Sequence, residues 1–173
     1  EANKPKLQGM NVTIPYKEAV IPYLDIIDKT ARKIGAVNTI KFTKRGLLKG
    51  YNTDVFGFEN SLKPLLKEHH THALILGTGG ASKAISFSLK QLGIKYKFVS
   101  RTPKRKKEID YNDLTEHVLT KYTVIINSSP VGTFHAVDLK PQIPYQFLTY
   151  KHHLYDFIYT PAFTRSVTSA NEK

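Results

Sequence analysis

The sequence predicts an α/β protein in which a doubly wound parallel sheet fills the second half and a smaller α/β unit precedes it. Three observations carry that expectation. From His72 onward short apolar runs alternate with helical stripes, the first run passes through a cluster of glycines into a helix, and upstream of residue 68 the pattern is mixed, with hairpin chemistry.

Residues 9–14 read as a short strand stopped by Pro15-Tyr16-Lys17. A helix is expected over residues 17–24, with a break at Pro22, and another over 28–34, capped by Asp28 and ended by Gly35. Residues 36–42 form a strand, Lys44-Arg45-Gly46 a turn, and residues 47–51 the hairpin partner. Asn52-Thr53-Asp54 then opens an apolar helical run through Val55, Phe56, Phe58, Leu62, Leu65 and Leu66. A domain boundary is expected at residues 67–71, dividing the chain into 1–68 and 69–173. Beyond it, residues 72–76 are a buried strand, 77–80 a glycine turn, and 81–92 an amphipathic helix closed by Gly93. Residues 96–99, 123–127 and 154–158 are further strands, and 111–119 a helix. This alternation calls for right-handed crossovers and parallel strands.

Composition narrows the class. With 40% hydrophobic residues in a chain of 173, a core can form and disorder is excluded. The absence of cysteine removes disulfides, thiolate metal sites and cysteine nucleophiles. Aliphatic runs such as 73–76 and 124–126 are too short to span a membrane, and the opening residues lack a signal peptide's layout, so a cytoplasmic chain without a membrane partner is expected. The first residue is Glu rather than Met, which suggests a fragment or processed chain. The net charge of +12 is concentrated in residues 61–115, with 11 basic and 4 acidic residues, and the stretch 95–107 holds seven cations and no acid. Such a stretch attracts a polyanion: nucleic acid, a membrane surface or a phosphorylated cofactor.

The glycine turn favours the last of these. Residues 74–82 (Leu-Ile-Leu-Gly-Thr-Gly-Gly-Ala-Ser) are strand, tight turn and helix start, the context of a dinucleotide site: Gly77 permits the turn, Gly79 lets a pyrophosphate approach, and the helix supplies amide donors. The competing explanation is a plain strand-to-helix turn, and Ser82 stands where the fingerprint has Gly or Ala. An NAD site would place a carboxylate at the end of the next strand. Here Ser100-Arg101-Thr102 and Lys104-Arg105 occupy it, and guanidinium groups suit the 2′-phosphate of NADP, the alternative being a solvated basic loop. His69-His70-Thr71-His72 lacks the carboxylate or thiolate spacing of a metal site, so none is assigned. Ser86, Ser128 and Ser129 lack a nucleophile elbow, and the basic patch lacks a nucleic-acid-binding motif.

Taken together, six stretches resemble the shikimate dehydrogenase family: residues 9–17 (Gly-Met-Asn-Val-Thr-Ile-Pro-Tyr-Lys), 34–39 (Ile-Gly-Ala-Val-Asn-Thr), 50–54 (Gly-Tyr-Asn-Thr-Asp), the glycine turn 77–81, Ser100-Arg101-Thr102, and 127–132 (Asn-Ser-Ser-Pro-Val-Gly). They extend over most of the chain, and the first three are more specific than the glycines. The resemblance implies a Rossmann-like NADP domain preceded by part of a smaller α/β substrate domain. It implies reversible reduction of 3-dehydroshikimate to shikimate with NADPH, in the pathway to chorismate and the aromatic amino acids.

By the same resemblance Lys17 and Asp54 are the catalytic pair, and Thr13, Asn38 and Tyr159 join them in binding substrate. Gly77, Gly79, Gly80 and Ala81 cradle the pyrophosphate. Ser100, Arg101, Thr102 and Arg105 meet the adenosine end, and Asn127, Ser128 and Pro130 border the cofactor's ribose. At Tyr159-Thr160-Pro161 the family usually has Asn before the proline. The family's opening strand and closing helices find no counterpart, which suggests truncation at both ends. Seen alone, Lys17 is an ordinary surface lysine and Asp54 an ordinary helix cap; their shared placement in two motifs reverses that. A ketone reduction needs a proton donor at the developing alkoxide, and an ammonium held by a carboxylate can serve. Partners are expected to be the small substrate alone, with a monomer or homodimer and no nucleic acid. The alternatives are a related quinate or shikimate NAD(P) dehydrogenase, or a non-catalytic basic NADP- or nucleic-acid-binding module.

Overall fold

A computed structural model describes residues 7–133, 137–158 and 164–171. Strand β1 (Gly9–Asn11) lies antiparallel to β3 (Thr39–Phe42), which pairs antiparallel with β4 (Leu48–Tyr51), and the short β2 (Ile26–Ile27) adds to β4 in parallel. The order is β1-β3-β4-β2. The expected hairpin at Lys44-Arg45-Gly46 is present, with Thr43 Oγ1 accepting from the Leu47 amide at 3.0 Å. Helix α1 (Lys29–Ile34) starts where the Asp28 carboxylate accepts from the Thr30 amide at 2.9 Å, and Gly35 ends it in the left-handed conformation at φ 72°. Ala31, Val37 and Ile40 are buried between helix and sheet.

The helix expected over residues 17–24 does not form. Residues 14–20 are turns, and only Ile21–Tyr23 makes a single 3₁₀ turn. Two competitors explain this: Pro22 has no N–H to give to a helical ladder, and the Lys17 carbonyl accepts from the Val37 amide at 2.7 Å instead. Lys17 is thereby held at the edge of the first sheet rather than on a helix.

The second sheet has the order β7-β6-β5-β8-β9 and is parallel throughout. Its strands are β5 (His72–Leu76), β6 (Lys95–Val99), β7 (Glu108–Ile109), β8 (Val124–Asn127) and β9 (His153–Asp156). Central strands buried on both faces read as continuous apolar runs. On one face Ala73, Ile75, Val124 and Ile126 pack with Ile85 and Leu89 of α3 (Gly80–Gln91) and with Phe58 and Leu62 of α2 (Asp54–Leu62). On the other, Leu74, Leu76, Val99 and Ile125 pack with Leu119 of α4 (Glu116–Lys121) and with Tyr145 and Leu148. Helix α2, upstream of the expected boundary, thus shares a core with the second sheet. Ile34, Ala36, Val55 and Ala84 form a further buried cluster where α1, α2 and α3 meet.

The helix expected over 111–119 is divided. Asp110 caps a 3₁₀ turn at Tyr111–Asp113, and Thr115 caps the separate helix α4, while Leu114 between them has ψ 70° and is buried in the core. Two local caps and one buried leucine override a continuous helix. Helix α5 (Arg165–Asn171) packs beside β9. Among the described residues no helix is long and apolar enough to cross a membrane.

Candidate active site

The hairpin β3–β4 and the turn before β2 bring three sequence-distant side chains together. Lys17 Nζ donates to Asp54 Oδ2 at 2.7 Å, and Asn38 Nδ2 donates to Asp54 Oδ1 at 2.8 Å. Asp54 is the first residue of α2, and Thr53, rather than Asp54, is its cap residue. The carboxylate therefore sits at a helix N-terminus, where negative charge is favoured. Asn38 is itself fixed, because its Oδ1 accepts from the Thr53 amide at 2.9 Å and from Thr39 Oγ1 at 3.1 Å. With side-chain exposures of 13% for Lys17 and 16% for Asp54, the ion pair is shielded enough to act as a fixed unit.

Lys17 reaches a cleft of about 590 Å³ that runs over the carboxyl ends of the second sheet. Gly77 follows β5, Ser100 and Arg101 follow β6, and Ser128 to Pro130 follow β8, so the cleft opens where the strand order reverses, the place ligands occupy in doubly wound sheets. Gly77 has φ 109°, and a Cβ there would stand 3.2 Å from Ser128 Oγ, so a side chain is opposed by both backbone and neighbour. Gly79, the cap residue just before α3, supplies no side-chain cap and has open space where a Cβ would be. The start of α3 thus borders the cleft with no side-chain cap on its amides, an arrangement that suits a phosphate. Ser82, where the dinucleotide fingerprint has Gly or Ala, is buried and donates through Oγ to the Gly79 carbonyl at 2.6 Å. A Cβ on Gly80 would lie 3.1 Å from the Lys17 Cβ, so glycine permits the lysine stem to rest on the start of α3.

The other expected site residues divide by position. Gly77, Gly79, Gly80, Ala81, Ser100, Arg101, Ser128 and Pro130 border the cleft with Lys17, whereas Thr13, Thr102, Arg105 and Asn127 do not. Thr13 is exposed just ahead of the Lys17 turn. Thr102 and Arg105 lie on the exposed basic loop, where Arg105 Nε is 3.7 Å from Glu108 Oε1. Asn127 is buried and shapes its loop from beneath: Nδ2 donates to the Val131 carbonyl and to Asp156 Oδ1, both at 3.2 Å, while Oδ1 accepts from Ser129 Oγ at 2.7 Å. Tyr159 lies outside the described residues.

Sequence reasoning missed four contributors. Glu108, directly after the basic run, turns its carboxylate back to accept from the Lys104 amide at 2.6 Å and so folds the loop. Asp156 accepts from Asn127, from the Ile158 amide at 3.0 Å and from Thr164 Oγ1 at 2.6 Å. Tyr111 and Gln142 also line the cleft. Glu108 alone left a signal, as the acid that ends the cationic stretch.

His69, His70 and His153 gather at the opposite end of the sheet. The His69 and His70 Nε2 atoms each lie 3.1 Å from the Lys151 carbonyl, and the rings of His70 and His153 are 6.1 Å apart. Burial pushes the pKa of His70 and of His153 down; at His70 the Lys151 carbonyl opposes the shift, while neighbouring positive charges at both push it further down. Among the described residues no group of three His, Asp or Glu side chains is arranged to hold a metal ion.

Comparison with known proteins agrees with this architecture. The model of the shikimate dehydrogenase substrate binding domain matches residues 1–40. The shikimate dehydrogenase (NADP(+)) of Methanosphaera stadtmanae is 37% identical over 183 residues, covering 96% of this chain and 64% of that protein. The enzyme of the same name from Clostridium botulinum is 37% identical over 180 residues, covering 98% of this chain and 68% of that protein. The crystal structure of shikimate dehydrogenase 1 from Peptoclostridium difficile superposes with a TM-score of 0.84 at 39% identity, covering 96% of this chain and 62% of that one. The chain thus spans less than two thirds of the length of the first and third of these. With 37% identity to a relative that the alignment covers to 68% of its length and this chain to 98%, the chain belongs to the shikimate dehydrogenase family.

Proposed function

We propose that the full-length protein carrying this chain is an NADP-dependent oxidoreductase that reversibly reduces 3-dehydroshikimate to shikimate, in the pathway to chorismate and the aromatic amino acids. The observation that carries this is the 2.7 Å Lys17–Asp54 pair opening onto the cleft that continues to the glycine turn. The relatives' names give the same enzyme and cofactor. Residues 1–68 belong to the substrate domain and 69–173 to the NADP domain. The protein works in the cytoplasm as a monomer or homodimer, with the small substrate as its partner and without nucleic acid or membrane.

The residues present fit NADP: glycines whose Cβ positions are open or already crowded, a helix start without a side-chain cap, and a cation at the end of β6 instead of the carboxylate an NAD site uses. Gly77, Gly79, Gly80 and Ala81 would hold the pyrophosphate, Ser100, Arg101, Thr102 and Arg105 the adenosine end, and Asn127, Ser128 and Pro130 would shape the wall beside the ribose. When bound, NADPH supplies the hydride. Lys17 Nζ donates a proton to the substrate oxygen as negative charge develops there, and takes it back in the oxidising direction. Asp54 holds the ammonium in place and Asn38 holds Asp54, so the proton donor is oriented before substrate arrives. Thr13 and Asn38 contact polar groups of the substrate, and Tyr159 lies close to it. The test is NADP⁺ reduction by the full-length protein with shikimate and quinate, each with NADP⁺ and NAD⁺. Turnover of shikimate with NADP⁺ is expected to be fastest; preference for quinate, or no turnover, refutes the assignment.

A further inference from the structure

Glu18 follows Lys17 in the chain and lines the same cleft as the glycine turn. Its carboxylate is out of place there, because an unpaired negative charge repels the phosphates that the helix start is built to attract. Its partner is Lys83, the fourth residue of α3, which forms an ion pair with Glu18. The same ammonium lies 3.9 Å from where a Cβ on Gly35 would stand, against the carboxyl end of α1, where positive charge is favoured. Side-chain exposures of 30% and 47% make the pair a minor contributor to overall stability. Its effect is therefore local. The loop is tied to the first sheet by the Val37 amide on the Lys17 carbonyl, and to α3 by the Lys17 stem resting on Gly80 and by this ion pair.

We propose that Glu18 and Lys83 are a positioning pair for Lys17: the ion pair fastens the Lys17 loop to α3 and cancels the Glu18 charge beside the glycine turn. This rests on the function proposed above and adds two residues to it. It has a consequence that a simple structural role lacks. Removing Lys83 leaves the Glu18 carboxylate bare and opposes NADP, whereas removing Glu18 leaves a cation and does not. Either change releases the loop and slows proton transfer.

The experiment uses the full-length protein with Lys83→Met, Glu18→Gln and the double variant, each first checked for wild-type thermal unfolding. NADP affinity is titrated directly, and kcat and KM are measured with shikimate. Lys83→Met is expected to raise the NADP Kd by about threefold to tenfold, Glu18→Gln to leave or lower it, and the double variant to return it within about twofold of wild type. Both single variants are expected to lower kcat by about threefold to tenfold, and the exchanged pair Glu18→Lys with Lys83→Glu to recover most of that loss. An equal rise in NADP Kd in both single variants, or unchanged kcat in both, overturns the proposal. A wild type that fails to oxidise shikimate refutes the proposed function instead, and the opposed Kd values still test the charge relation without turnover.

Discussion

Asp54→Asn changes one charge and almost no volume, and the surrounding hydrogen bonds decide how the new side chain sits. Asn38 is locked by Thr53 and Thr39 with its Nδ2 toward residue 54, so the new amide turns its oxygen to Asn38 and its NH₂ to Lys17. Lys17 then faces a donor where it had an acceptor at 2.7 Å. A hydrogen bond to a charged group contributes about 1.5–3 kcal/mol, and each 1.4 kcal/mol is about tenfold in rate, so kcat should fall by roughly tenfold to a hundredfold. Lys17→Ala removes the proton donor outright and should cost roughly 10²- to 10⁴-fold in kcat, with a smaller change in KM. Because Asp54 is proposed to act through Lys17, the double variant Lys17→Ala with Asp54→Asn should be no slower than Lys17→Ala alone. Steady-state assays of shikimate oxidation by the three full-length variants at saturating NADP⁺ measure this. Multiplying losses in the double variant would mean that Asp54 acts independently of Lys17. Retention of more than half of wild-type kcat by Lys17→Ala would remove the lysine from the chemistry altogether.

Arg101→Ala should raise the KM for NADP by roughly tenfold to a hundredfold and leave that for NAD nearly unchanged, because only NADP carries the 2′-phosphate; equal losses for both cofactors, measured at two salt concentrations, would assign Arg101 to the fold instead. Gly77→Val combines φ 109° with crowding against Ser128, so it should lower stability by at least about 1 kcal/mol and weaken NADP binding; an unchanged Tm would show that the turn relaxes freely. His70 and His153 have pKa values lowered from 6.5, first by burial, with nearby cations and histidines adding to it and the Lys151 carbonyl opposing it at His70. Their neutral forms stabilise the fold above the unfolded pKa, and that contribution is lost as pH falls below about 6.5 and through the lowered folded values. Urea unfolding at several pH values should therefore show weaker stability at mildly acidic pH, with a shallower decline in His153→Leu; an equally steep decline in that variant would locate the effect elsewhere.

Much was legible in the chain because it depends on neighbours in sequence. Runs buried on both faces marked β5 and β8, the Asp28 and Gly35 signals bounded α1, and the glycine turn sits where the strand-to-helix pattern required. The resemblance also names Lys17, Asn38 and Asp54, and although 37 residues separate the first from the last, Lys17 and Asn38 each donate to the Asp54 carboxylate. Where local signals compete with distant ones, the distant ones decided. Residues 17–24 have a helical pattern, but Val37 claims the Lys17 carbonyl, and residues 111–119 are divided because Leu114 is taken into the core between two caps. The two-residue strands β2 and β7 carry too few residues for any periodicity and exist only because β4 and β6 offer them an edge.

The sequence by itself determined which residues are apolar, where turns are permitted, and where the cations concentrate. Only the tertiary structure decided which of those residues share a cleft. Arg101 borders it while Arg105, four residues on, is drawn toward Glu108. Asn127, expected beside a ribose, lies buried beneath its loop, tied to Asp156 at 3.2 Å. Glu18 and Lys83, unremarkable in sequence and 65 positions apart, are joined as an ion pair. The physical reason is that side-chain hydrogen bonds and ion pairs act over a few ångströms, and only the packing of α1, α2 and α3 against one another brings groups tens of residues apart within that reach.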